Sequence, residues 1–167
     1  GTVHLDEAKF SVDKVTVPAS AGIILRYVDE GKDVRAEVQF LEGCEVVIDG
    51  TVTISKKSKM TADSLTVNGS VAVEDGELVV GNATVLGSII ATAMDEGGKF
   101  IASAYFEKLY VGISAGDYLT TGAVASVTGN VVVYNHALVA PGSTVPEAFT
   151  KEKSDYSATA FMLDDGT

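Results

Sequence analysis

Between Leu65 and Ile90 the chain reads LTVNGSVAVEDGELVVGNATVLGSII, short apolar beats with a glycine at positions 69, 76, 81 and 87. Beats of this kind suit an antiparallel meander with tight hairpins or a chain wound in coils with a glycine at each corner. Side-chain direction separates the two at Asn68-Gly69. In a two-residue hairpin Val67 pairs with Ser70 and Leu65 with Ala72, each pair sharing a face. That leaves Val71 and Val73 on the opposite face from Leu65 and Val67. A coil bending at Asn68-Gly69 keeps all four pointing inward, so the coil is favoured there. Gly81-Asn82, by contrast, suits a hairpin, which puts Leu78, Val80, Ala83 and Val85 on one face. The beats at Leu65, Val71, Leu78, Ala83 and Ile89 are spaced 6, 7, 5 and 6, near the six-residue side of a β-helix coil. Residues 61–93 are therefore expected to form a short solenoid-like or intertwined β segment, with a plain meander as the rival.

Composition agrees with strands. Val, Ile and Thr supply 24, 8 and 15 of the 167 residues, and β-branched side chains favour the extended backbone. The expected class is all-β, and a chain this long buries a core without metal or disulfide support. The first 60 residues read as a hairpin or sandwich-like part. Val34, Ala36, Val38 and Phe40 alternate with Arg35, Glu37 and Gln39, the mark of one buried face. Ile23 to Val28 is a second apolar run, and Asp29-Glu30-Gly31-Lys32 supplies turn chemistry between the two. Asp49-Gly50, between EVVI and TVTI, reads as another hairpin turn. MDEGGK (94–99) marks a boundary, which divides the chain into 1–60, 61–93 and 94–167, or leaves it as one domain. In the last part FIASAYFEKLYV fits a strand or a short helix, and Ser143 or Thr144 caps a possible short helix through Lys153.

A net charge of -11 argues against nucleic acid, because no basic cluster is available to displace phosphate counterions. No apolar run reaches the roughly 20 residues that span a bilayer, so no membrane insertion is expected. Cys44 is the sole cysteine, which forbids an internal disulfide, and it reads as a small buried hydrophobe.

Chemical motifs are sparse. Gly112-Ile113-Ser114-Ala115-Gly116 matches the G-x-S-x-G elbow of serine hydrolases, which needs a sharp strand-to-helix turn and a histidine base. The residues after it look like turn and strand, and His136 is the sole downstream histidine. A hydrolase using Ser114 is thus the weakest of three readings. His4, His136 and Cys44 form no metal-ligand spacing, and Gly97-Gly98-Lys99 lacks the upstream glycine of a phosphate loop. No catalytic, cofactor-binding or metal residue is assigned, and no cofactor is expected. The tyrosines at 27, 105, 110, 118, 134 and 156 read as half-buried strand positions.

The run SLTVNGSVAVEDGELVVGNATVLG resembles the repetitive β segments of bacteriophage tail-fibre and other virion appendage proteins, and the passenger regions of bacterial surface adhesins. The resemblance lies in the beat x-Φ-x-Φ followed by Asn-Gly, Asp-Gly or Gly-Asn, where Φ is apolar. It implies a non-enzymatic structural or attachment role, a virion or cell-surface location, and self-association, with a homotrimer favoured. Under it Leu65, Val67, Val71, Val73, Leu78 and Val80 form the expected self-assembly face, and a virion protein, cell-surface protein or glycan is a further expected partner. The alternative is a small carbohydrate-binding β-sandwich.

Overall fold

The computed structural model describes residues 1–55, 57–92, 102–114, 124–145 and 159–162. Those residues are all-β, with 17 strands and no helix among them. In the first part of the chain lie β1 (Thr2–Leu5), β2 (Glu7–Phe10), β3 (Lys14–Val17), β4 (Gly22–Leu25), β5 (Tyr27–Asp29), β6 (Lys32–Val34), β7 (Glu37–Phe40), β8 (Glu45–Ile48) and β9 (Thr51–Ser55). Then follow β10 (Lys59–Val67), β11 (Ser70–Glu74), β12 (Glu77–Val85), β13 (Ser88–Thr92), β14 (Ala104–Val111), β15 (Ser126–Gly129), β16 (Val131–Val139) and β17 (Thr159–Met162).

Apart from β5 and β6, the strands pair in parallel with their counterparts in neighbouring coils. One sheet runs β1-β4-β9-β11-β13-β15, and the other runs β2-β7-β10-β12-β14-β16-β17, with β3 and β8 alongside. The chain thus alternates between two sheets as it advances, and the coil extends well beyond 61–93 in both directions. A cut at residue 60 would fall inside β10, which pairs with β7 and β8 on one side and β12 on the other.

The corners explain the glycines. Gly50, Gly69 and Gly87 occupy the same corner of successive coils: Ser70 N–H donates to Gly50 O and Ser88 N–H to Gly69 O, each at 3.0 Å. A Cβ on Gly69 would sit 2.0 Å from Gly50 O, and one on Gly87 would sit 2.0 Å from Gly69 O. Close approach of stacked backbones therefore imposes glycine here. Asp49-Gly50 is one of these corners, joining β8 to β9 in different sheets, so the hairpin expected there does not form. The local Asp-Gly signal is the same for both; the parallel partner one coil away decides. Asn68-Gly69 bends as the side-chain argument requires.

Gly81-Asn82 also fails to make a hairpin. β12 runs through it, paired with β10 and β14 along its length. Leu78, Val80, Ala83 and Val85 do share the inner face, as a hairpin would have had them. Two consecutive outward residues at a bend preserve that parity as well as a reversal does.

The expected hairpin at residues 29–32 is present. β5 and β6 pair antiparallel with Asp29 opposite Lys32, and Glu30 (φ 47°) and Gly31 (φ 75°) supply the two left-handed residues such a turn needs. It is an excursion from a corner, however, because β4 and β7 on either side lie in the two different parallel sheets. FIASAYFEKLYV resolves to strand over Ala104–Val111. The MDEGGK segment lies outside the described residues, as does most of the expected helix.

Inside the coils, apolar side chains stack in columns. Val17, Ile48, Val67, Val85, Val111 and Val139 form one column in register, none above 4% exposed. Val38, Met60, Leu78, Ala104 and Val131 form another. Cys44 is 1% exposed in the same core. At the first coils Phe10 and Phe40 stack with centroids 4.9 Å apart.

Candidate functional site

The second sheet is bent lengthwise, and the bend makes the site. In β10 the inward residues are Met60, Ala62, Leu65 and Val67, with Asp63 and Ser64 both outward. In β12 the break falls at Gly81-Asn82, in β14 at Glu107-Lys108, and in β16 at Tyr134-Asn135-His136. Registers bring Asp63 beside Gly81 and Gly81 beside Glu107. In β16 an irregularity opposite Glu107 widens the break. In the coil before β10 the chain leaves the sheet between β7 and β8, through Leu41, Glu42, Gly43 and Cys44.

Along this bend runs a groove of about 520 Å³. Outward residues of β7, β10, β12 and β14, namely Gln39, Thr61, Val79 and Tyr105, lie in register along it. Glu42, Asp63, Glu107 and Tyr134 complete its rim. Tyr105 and Tyr134 are stacked, with centroids 6.2 Å apart and planes 9° apart. Burial raises the pKa of the Tyr105 phenol, and nearby Glu77 and Tyr134 raise it further. Glu107 Oε1 accepts a 3.1 Å hydrogen bond from Asn135 Nδ2. Gly81 has a local reason to be glycine: its Cβ would meet Asp63 O at 2.7 Å and Asp63 Oδ1 at 3.0 Å.

The six residues expected to form a self-assembly face are inward-facing core residues, Val80 lying beneath the groove. Leu65, Val67, Val71, Val73, Leu78 and Val80 are each at most 3% exposed, inside the coil and covered by the same chain. Their work is to fill this core. Ser114 is exposed just past β14, in a motif whose last two residues lie outside the described set. His136 pairs opposite Lys108, three residues before the strand's end at Val111, whereas Ser114 lies three residues beyond that end. Among the described residues no group of three His, Cys, Asp or Glu side chains is placed to hold a metal.

The groove residues escaped the sequence reading because the coils differ in length. Ala62 pairs with Val80 18 residues on, Val80 with Phe106 26 on, and Phe106 with Val133 27 on. The available signal was a repeated doublet of outward residues inside an otherwise alternating strand: Asp63-Ser64, Gly81-Asn82 and Glu107-Lys108. No protein-family model, curated protein or solved structure matches the chain.

Proposed function

We propose that this chain is a non-enzymatic structural or attachment module of the kind built into virion appendages or cell-surface adhesins. One observation carries the reading: among the described residues, strands from β1 to β17 stack in parallel coils that enclose a largely aliphatic core and hold a groove on the outside. Stacked parallel coils resist bending and keep an outer face in fixed register over many residues, which suits a spacer or a presenting arm. Self-association, which the fibre likeness implies, would use the outer surface or the coil ends, since the inner residues are already covered. The groove with its paired tyrosines keeps a second reading in view, glycan binding, now on a coil rather than a sandwich.

The test is retention on a surface. Fluorescently labelled protein is titrated onto envelopes of the organism that carries the gene and onto its host's envelopes, with light scattering to give the solution mass. Saturable retention on one of these supports attachment. A monomer with no saturable retention on any of them overturns it.

A further inference from the structure

The outward side of the first sheet is free of charge over two whole columns. Registers place Thr51, Ser70, Ser88 and Ser126 in one outward column across β9, β11, β13 and β15. Ile24, Thr53, Ala72, Ile90 and Thr128 form the next outward column, two residues along. Neither holds an ionisable side chain, although the chain carries a net charge of -11. On the second sheet each uncharged column lies beside a charged one. Gln39, Thr61 and Val79 run next to Glu37, Lys59 and Glu77. Val47, Thr66 and Thr84 run next to a column that contains Glu45 and Lys108. On the first sheet charge returns at the margins, with Asp49 before β9 and Glu74 at the end of β11, both exposed. Between them Ile90 is 54% exposed.

We propose that this face pairs two copies of the chain, sheet against sheet. The proposal deepens the attachment reading by naming the surface of its self-association, and it rests on that reading. An uncharged centre with a charged rim is the anatomy of a protein interface. Charge chooses the occupant. Two chains of net charge -11 repel over most of their surfaces, and here they meet with no like charges opposed. A strongly charged partner finds nothing in these columns to recognise. A second copy brings the same two columns, which a two-fold axis sets against each other. Ser, Thr and Ala side chains are short enough for two sheets to approach to about 10 Å. Ile90 stands in register between the smaller Ala72 and Thr128, a ridge beside hollows that the axis opposes to those of the other copy. Five strands about 4.8 Å apart and roughly five residues long give a face of about 25 Å by 15 Å. With side-chain relief, covering it on both partners removes on the order of 1,000 Å² from water, the low end of specific interfaces. The pairing is therefore weak and reversible, and one flat face per chain closes a dimer rather than the trimer that the fibre likeness implies.

Sedimentation velocity on the full chain, over a concentration series at low and physiological salt, tests this. Wild type is compared with Ile90→Glu, with Ile90→Lys, and with Thr66→Glu, which adds the same charge to the second sheet; circular dichroism checks each fold. The expected result is a monomer–dimer equilibrium that strengthens with salt, as repulsion is screened. Both Ile90 variants should weaken it about tenfold or more, because each buries a charge opposite the partner sheet, and Thr66→Glu should stay close to wild type. Ile90→Lys is decisive, since it lowers the chain's overall charge. Tighter association in that variant means that net charge alone governs and overturns the proposal. So does a wild type that stays monomeric at every concentration, or an oligomer that survives both Ile90 changes. Retention of a monomer on insoluble cellulose, lost in both Ile90 variants, also overturns it and assigns the face to a neutral polymer. Dimers that form without envelope retention keep this inference and remove attachment; envelope retention by a chain that stays monomeric does the reverse.

Discussion

The side-chain amide of Asn68 donates to the Asp49 carboxylate at 2.7 Å, across one coil and at one corner of the solenoid. Both residues precede a corner glycine, so the bond ties two equivalent turns together. Asn68→Asp replaces an attractive pair with two carboxylates in the same place. The expected loss is about 1 kcal/mol at neutral pH, in line with like charges directly opposite one another. Repulsion raises the folded-state pKa of the pair, so the penalty is present above the carboxylate range and disappears below it. Urea unfolding on either side of that range checks both the size and the sign.

Gly69→Ala tests the stacked corner. The new methyl would stand 2.0 Å from Gly50 O and 2.5 Å from Asp49 O, both backbone atoms that cannot rotate away. A loss of about 3 kcal/mol or more is expected, because neighbouring coils must separate. Gly43→Ala is the contrast. Nothing lies within 4 Å of its Cβ, but φ is +85°, so the cost is the left-handed backbone alone, about 1–2 kcal/mol. Denaturation midpoints for the two variants should rank in that order.

The same two corners show what the sequence could reveal. Strand content, the inward set Leu65, Val67, Val71 and Val73, and the turn at Glu30-Gly31 all follow from local alternation and turn chemistry. Asp49-Gly50 did not, because a dipeptide that favours a tight reversal also fits a corner when the partner strand lies one coil away. Pairing partners at unequal offsets are invisible to a period search, which hid the row Asp63, Gly81 and Glu107 and with it the groove. Tyr105 was legible as a half-buried strand residue, whereas Tyr134, expected to be half-buried, is exposed, and their stacking needed the register.

Ser58 is fully buried, and its hydroxyl has no hydrogen-bond partner. Removing an unsatisfied buried hydroxyl relieves a desolvation cost. Ser58→Ala should therefore be neutral or stabilising by up to about 1 kcal/mol, unlike most substitutions of buried residues. Thermal unfolding measures it, and a clear loss of stability would show that the hydroxyl is engaged in solution.

Glu37 titrates below the ordinary carboxylate range. The first cause is the 2.9 Å hydrogen bond from Gln39 Nε2 to its Oε1. Burial opposes the shift, and Arg35, Lys59 and Lys9 add to it. A carboxylate lowered in the folded state stabilises above its unfolded pKa, and that contribution is lost as pH falls through the folded value. Gln39→Ala should move the Glu37 midpoint upward, toward the usual range, in a side-chain NMR titration. A midpoint that stays put would assign the shift to the neighbouring cations instead.

Val73→Asp separates a core residue from an interface residue. Val73 is fully buried between Ile54 of the preceding coil and Ala91 of the next. A carboxylate there has no partner and no water, at a cost of several kcal/mol, a large part of the stability of a domain of this size. If the residue fills the chain's own coil, the variant should lose its strand signal in circular dichroism at every protein concentration. If it meets a second subunit, the variant should keep its strands and change mass alone. Circular dichroism and light scattering on the same sample distinguish these, and the burial of Val73 within one chain predicts the first.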